Sequence, residues 1–282
     1  MPATPPLVRA PRIRLNQGNE IPMLGLGVYL AHPGLETRQA VEWALEVGYR
    51  HIDTAALYEN ESDAGEALRA SKVPREEVFV TTKMWHSEHG FESSQAAARD
   101  SLRRLGLSYV DLYLIHSPRA RSPEQRVASW RGLERLHHEG LCRSIGVSNY
   151  AIRHLEELRG ADVVPAVNQV EFHPFVYDPE LLAYCQQRGI RIEAWAPLTR
   201  GRRFDDPTVR EIATAHRRTP AQILLRWGIE HGLIEIPKSV HRDRIEENAR
   251  IFDFRLSTEE VTRLDGLRGG GSISGWDPAA VP

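Results

Sequence analysis

A single (β/α)8 barrel is the fold class this sequence predicts, on three observations. Eight short runs rich in β-branched and aromatic residues recur along the 282 residues, segments of helical periodicity alternate with them, and glycines close most of those segments. The candidate strands are residues 23–27, 49–55, 78–84, 110–116, 144–148, 166–172, 191–198 and 233–239. Helical periodicity fills residues 37–47, 93–105, 122–139, 150–159, 179–188 and 220–231. Ser122 before Pro123, Asp178 before Pro179 and Thr219 before Pro220 each set a capping side chain ahead of a first-turn proline. Gly48, Gly106, Gly140, Gly160, Gly189 and Gly232 follow the helical segments, where a left-handed residue ends a helix. Strands that alternate with helices pair in parallel, because a parallel crossover needs a long connection and a helix supplies it. An open doubly wound sheet competes, but it announces a nucleotide site by a glycine-rich turn after its first strand. Here Gly25-Leu26-Gly27 is too short and leads into no helix.

Other segments stand outside the repeat. Residues 12–22, with Asn16-Gln17-Gly18-Asn19 at their middle, read as a β-hairpin expected to plug the bottom of the barrel. After the eighth strand, residues 242–249 and 257–268 read as two extra helices, and residues 269–282 as a flexible tail. No linker divides the chain, so residues 1–282 are expected to form one domain.

Composition narrows the function. Hydrophobic residues at 41% and charged residues at 26% suit a large buried core. A formal net charge of -2 with interspersed signs leaves no basic field for nucleic acid and no polybasic stretch for an anionic membrane. No run approaches the roughly 18 apolar residues of a membrane-spanning helix, and the proline-rich start, residues 1–12, lacks the apolar core of a signal peptide. Cys142 and Cys185 are too few for a disulfide framework and too far apart for a metal knuckle, so both read as ordinary thiols. The expectation is a cytoplasmic protein acting on a small molecule. No heptad or large apolar stripe demands association, which makes it a monomer on this reading.

In such a barrel the reacting groups sit at the C-terminal ends of the strands. The second candidate strand ends in Asp53 with Tyr58 shortly after; the third delivers Lys83, the fourth His116, the fifth Ser148 and Asn149, the sixth Gln169 and the seventh Trp195. Tyrosine, lysine, aspartate and histidine around one mouth suit carbonyl reduction by hydride. An ordinary phenol titrates near ~10, a weak acid for a forming alkoxide. A neighbouring ammonium lowers that value, and an aspartate keeps the ammonium charged and fixed. Tyr58 is therefore the expected general acid, tuned by Lys83 and Asp53, and neutral His116 the expected donor to the substrate oxygen. Singly, each residue has a plainer role: a structural ion pair, a packing tyrosine, a histidine bonded to a loop carbonyl. Their shared position at successive strand ends is what those roles do not require.

The motifs resemble the aldo-keto reductase superfamily over nearly the whole chain. Gly48-Tyr49-Arg50-His51-Ile52-Asp53-Thr54-Ala55 with Tyr58, Thr82-Lys83-Met84-Trp85, and Asp111-Leu112-Tyr113-Leu114-Ile115-His116 are similar to the blocks that hold the family's catalytic residues. Through Gly146-Val147-Ser148-Asn149 and Asn168-Gln169, the resemblance implies that Ser148, Asn149 and Gln169 bind the nicotinamide carboxamide. It also implies that Trp195 stacks on the ring, with Gly27, Val28, Tyr29, Ala196 and Leu198 against the cofactor. Ile236-Pro237-Lys238-Ser239-Val240 with Arg244, Glu247 and Asn248 resembles the adenosine-phosphate site; Lys238, Ser239 and Arg244 would meet a 2′-phosphate, which implies NADPH. Ala196 departs from the serine common in relatives, and the loop 199–206 carries Arg200, Arg202 and Arg203, which are expected to compensate by holding phosphates. Trp195, a short following loop and a short tail resemble the bacterial 2,5-diketo-gluconate reductase branch. His116, where steroid double-bond reductases of the family carry glutamate, implies carbonyl chemistry. Trp85 and Tyr29, with His51 or Trp276, are expected to line the substrate end.

The expected activity is NADPH-dependent reduction of an aldehyde or ketone, such as an α-ketoaldehyde or keto-sugar acid. Alcohol oxidation uses the same groups in reverse. A cofactor-binding scaffold with little turnover is disfavoured by the intact Asp53, Tyr58, Lys83 and His116. A metal-dependent hydrolase is weaker still, because His86 and His89 have no accompanying ligand cluster.

Overall fold

The computed structural model describes residues 9–282, so most of the proline-rich start lies outside it. Eight strands run in one parallel sheet: β3 (Leu26–Gly27), β4 (His51–Asp53), β5 (Phe79–Met84), β6 (Leu112–Ile115), β7 (Ile145–Ser148), β8 (Val167–Glu171), β9 (Arg191–Trp195) and β10 (Ile234–Glu235). Parallel bridges Leu24–Glu235 and Gly27–Lys238 join the last strand to the first and close the barrel. The hairpin, β1 (Arg12–Arg14) and β2 (Glu20–Pro22), is antiparallel and covers the bottom as expected. Its Leu15 and Ile21 pack with Phe79, Leu112, Leu114, Ala166, Val167 and Ile234 inside the barrel. Gln17 and Asn16 fix it there by donating to the backbone oxygens of Ile145 and Pro165, both at 3.0 Å.

Helices α1 (Leu35–Val47), α2 (Glu61–Ala70), α3 (Phe91–Leu105), α4 (Pro123–His138), α5 (Ile152–Glu157), α6 (Pro179–Gln187), α8 (Pro220–Glu230) and α9 (Arg242–Ala249) surround the strands. The foreseen caps form: Asp178 accepts from the amides of Glu180 and Leu181, and Thr219 shares a capping box with Gln222. Of the two helices expected as extras, α9 instead completes the ring between α8 and α1; the extras are α7 (Pro207–His216) and α10 (Thr258–Asp265), packed on each other. Neither α2 nor α7 stood out in the sequence. The buried stripe of α2 is only Ala64, Gly65, Ala67 and Leu68 beside Glu61. Gly65 is needed there because a Cβ would collide with the backbone of Leu105 in α3.

The segment expected to be a flexible tail lies along the barrel instead. Ser272 and Ile273 donate to Glu171 at 2.6 and 2.5 Å, His154 Nε2 meets the Val281 oxygen at 3.0 Å, and Ile273 and Val281 are buried. Its sequence of glycines and serines hides two apolar anchors, Ile273 and Val281, and its carboxylate partner, Glu171, lies on β8.

Glu235 is an unpaired carboxyl in the outer core. It lies under α8, where a Cβ at Gly228 would overlap it, and its Oε2 has no hydrogen-bond partner among the described residues. Burial pushes this carboxyl well above its ordinary range. The folded protein therefore holds it protonated while the unfolded chain ionises it, so its contribution to stability is lost as pH rises above the ordinary carboxyl range. Glu235→Val is expected to raise stability at neutral pH by about 1–3 kcal/mol, the penalty of an orphaned buried group. Urea unfolding of both proteins across pH checks it: the variant should be more stable and show a shallower fall above the carboxyl range.

Candidate active site

The C-terminal ends of the strands open into a cleft of about 1010 Å³. Asp53 ends β4, and the chain then makes a single 3-10 turn, Ala56–Tyr58, that swings Tyr58 back over the barrel. Lys83, inside β5, points up from the interior and is fully buried. Its three N–H bonds are all used: to Asp53 Oδ1 at 2.7 Å, the Thr54 oxygen at 2.9 Å and the Tyr58 hydroxyl at 3.2 Å. The Tyr58 oxygen thus accepts from lysine, which leaves its own proton free for the cleft.

Burial and charge compete in this cluster. For Lys83 burial favours the neutral amine, but Asp53 and Tyr58 outweigh it and push the ammonium up to about 12. Burial lifts the Asp53 carboxyl above its ordinary range, and Lys83 opposes that shift without cancelling it. Tyr58 departs from the expectation of a lowered phenol. Lysine does pull it down, yet burial is stronger and pushes it up to about 12. His116 meets the expectation of neutrality: burial first, then Lys83, hold its imidazole well below the usual range. Its ring packs edge-on against Tyr58 and Trp85, with centroids 5.6 and 5.2 Å apart.

The middle of the cleft is a chain of side-chain hydrogen bonds. Trp195 Nε1 donates to Asn149 Oδ1 at 2.9 Å, and Asn149 Nδ2 donates to the His116 oxygen and to Ser148 Oγ, both at 3.0 Å. Asn149 sits at φ 63, a left-handed position that asparagine tolerates. Gln169 Nε2 donates to Asp53 Oδ2 and Glu193 Oε2, both at 2.8 Å. Gly27, Tyr29, Asn149, Gln169, Trp195, Ala196 and Leu198 line the cleft, whereas Val28 and Ser148 are buried behind it. Farther along, Lys238, Ser239, Val240, Arg244, Glu247 and Asn248 form the wall after β10. Glu247 accepts from Thr219 at 2.9 Å, and no carboxylate lies within 4.0 Å of Lys238 or Arg244 among the described residues.

Several expectations change. His51 is not at the mouth; it is buried in the barrel interior, bonded to Thr81 at 3.0 Å, because it starts β4 and Asp53 ends it. Of the loop arginines only Arg200 lines the cleft; Arg203 instead binds the Gly270 oxygen and covers Phe175, and Arg202 is exposed away from it. Trp276, from the docked tail, lines the cleft, and Arg119 lies over its indole at 5.2 Å. Arg119 and Glu193 went unread in the sequence. The signal was present: Arg119 follows His116 on the same loop, and Glu193 precedes Trp195 by the two residues that keep a strand side chain on one face. His86 and His89 gather no metal ligands: among the described residues no cluster of three or more His, Cys, Asp or Glu could hold an ion. Nor is any described helix long and apolar enough to cross a membrane.

Compared with known proteins, residues 30–268 match the model of the Aldo/keto reductase family. The chain is 46% identical over 256 residues to a glyoxal reductase of Bacillus subtilis, covering 90% of this chain and 92% of that protein. It is also 46% identical, over 270 residues, to a 9,11-endoperoxide prostaglandin H2 reductase of Trypanosoma cruzi, with 94% of each chain covered. Among solved structures, a Bombyx mori aldo-keto reductase in complex with NADP superposes with a TM-score of 0.88 at 40% identity, covering 94% of this chain and 95% of that one.

Proposed function

The chain belongs to the aldo/keto reductase family, and from that premise we propose that it reduces the carbonyl of a small aldehyde or ketone with NADPH, Tyr58 giving the proton. The observation that carries the assignment of Tyr58 is the saturated lysine: with all three Lys83 donors engaged, the phenol proton is the one that faces the cleft.

The groups left open along the cleft fit the cofactor. Two cations without carboxylate partners among the described residues, Lys238 and Arg244, stand at one end to meet a 2′-phosphate; the Trp195 indole and the Gln169 amide stand in the middle to meet a nicotinamide. Bound there, NADPH supplies the hydride that adds to the carbonyl carbon. His116, neutral, donates a hydrogen bond that holds the carbonyl oxygen beside Tyr58. As charge builds on that oxygen, Tyr58 transfers its proton; an alkoxide is a far stronger base than a phenolate, so the transfer runs downhill even from a raised phenol. The phenolate left behind is met by the ammonium at 3.2 Å, and Asp53 and the Thr54 oxygen keep that ammonium in place. Trp85, Tyr29, Trp276 and Arg119 enclose the substrate end.

Purified protein assayed for NADPH oxidation against methylglyoxal, an aromatic aldehyde and a diketo-sugar acid tests the activity. Turnover of at least one is expected; tight NADPH binding with no turnover of any would leave only a cofactor-binding scaffold. For the cofactor choice, Lys238→Ala combined with Arg244→Ala is expected to raise KM for NADPH by roughly 10- to 100-fold, the worth of one or two charge-assisted hydrogen bonds. KM for NADH should be unchanged. An equal effect on both cofactors would place the 2′-phosphate elsewhere.

A further inference from the structure

Glu193 has no part in the mechanism above, yet it is a fully buried acid in the barrel interior, two residues before Trp195 on the inward face of β9. Its Oε2 takes one N–H of Gln169 at 2.8 Å while Asp53 Oδ2 takes the other, also at 2.8 Å. With both amide hydrogens drawn to carboxyl oxygens, the Gln169 carbonyl must point the other way. No protein donor reaches its Oε1 among the described residues, and Gln169 forms part of the cleft wall. The reverse orientation would set the amide oxygen against the Asp53 carboxylate. Asn149, the other amide on this wall, already uses its oxygen on Trp195 and its nitrogen on His116 and Ser148.

We propose that Glu193 is a positioning residue: by holding one amide hydrogen of Gln169 it fixes the Gln169 carbonyl as the acceptor for the NH2 of the nicotinamide carboxamide. This rests on the reading of the cleft as an NADPH site. Glu193 does this without a charge, since burial and then Asp53 push its carboxyl up to about 8. A neutral acid still offers a carbonyl oxygen to an N–H. Its Oε1 has no hydrogen-bond partner among the described residues and lies 3.4 Å from His51 Nε2. His51, held neutral to about 3 by its own burial and then by Lys83, offers that carboxyl no counter-charge.

The experiment compares binding of NADP+ with that of its 3-acetylpyridine analogue, in which a methyl replaces the carboxamide NH2. Binding is read by quenching of tryptophan fluorescence, and adenosine 2′,5′-bisphosphate serves as a probe of the adenosine end alone. Wild type is expected to prefer NADP+ by about tenfold, the worth of one hydrogen bond. Glu193→Met should bring that preference close to one while leaving the bisphosphate affinity intact, and Glu193→Gln, which keeps an acceptor oxygen, should restore it. Gln169→Met should lose the same preference, and combining it with Glu193→Met should add nothing further. The proposal is overturned if Glu193→Met keeps the preference, if it weakens the bisphosphate equally, or if the two losses add. It is also overturned if Gln169→Met has no effect, a result that stands even where Glu193→Met fails to fold. Wild type that binds neither NADP+ nor the bisphosphate would instead sink the cofactor reading itself.

Discussion

Tyr58→Phe is expected to lower kcat for carbonyl reduction by roughly 10²- to 10⁴-fold, the range for loss of a positioned general acid. The substitution removes one oxygen and keeps the ring that packs against Tyr29 and His116. NADPH affinity and melting temperature should therefore stay near wild type. Lys83 loses only the longest of its three hydrogen bonds and keeps Asp53 and the Thr54 oxygen. Because burial holds the phenol up to about 12, its proton remains available through neutral and mildly alkaline pH, so wild-type reduction should show no alkaline loss that Tyr58→Phe abolishes. Steady-state kinetics beside NADPH titration decide it. A variant with a tenth or more of wild-type kcat would move the acid to His116 or to a water.

Lys83→Met should damage both stability and chemistry. The ammonium is completely buried against Asp53, itself 2% exposed. Its removal leaves a buried carboxylate without a cation, a Thr54 carbonyl without a donor and a phenol without the charge that opposes its upward shift. Breaking one side of a buried pair is worth about 3–5 kcal/mol. Unfolding in urea should show a loss of that order, with kcat down by roughly 10²-fold or more. Adding Asp53→Asn removes the stranded charge, so the double variant should regain most of the stability and none of the activity. If it regains both, Lys83 is a structural cation only; if it regains neither, the destabilisation arises from the packing of the lysine stem.

The fold and the meeting of Asp53, Tyr58, Lys83 and His116 at one mouth were legible because they rest on local rules. Alternating apolar runs, capped helices with first-turn prolines and glycines at helix ends mark the units of the barrel, and strand-end polarity marks its mouth. Asp53, Tyr58, Lys83 and His116 could be read together because each closes or follows an apolar run. What stayed hidden depends on packing between distant segments. Helix α2 buries small residues that give little periodic contrast, and its Gly65 makes sense only against Leu105 of α3. Helix α7 carries the same aspartate-proline start as α6, Asp206-Pro207, but it follows directly on the arginine-rich loop 199–206, which masks that signal. His51 shares a conspicuous motif with Asp53, and adjacency in sequence suggested a shared place; three residues of strand put one deep inside and the other at the rim. The net rise of the Tyr58 phenol was equally out of reach, since the lysine could be foreseen and the depth of burial could not.

The barrel closes where the beginning of the chain meets its end, through Gly27 beside Lys238. The same two residues, with Ile236, line the cleft. On the proposed cofactor site, a dinucleotide lying across that seam would staple the first strand to the last, joining segments more than 200 residues apart in sequence. Local opening of the seam would then have to break both the strand bridge and the ligand's grip, so cofactor binding should make such opening rarer. At a free cofactor concentration of 100 Kd the folded form gains about 2.7 kcal/mol by mass action. A barrel stapled in this way should outlast its empty form against proteases that need an opened chain, so its lifetime would follow the supply of the reductant it consumes.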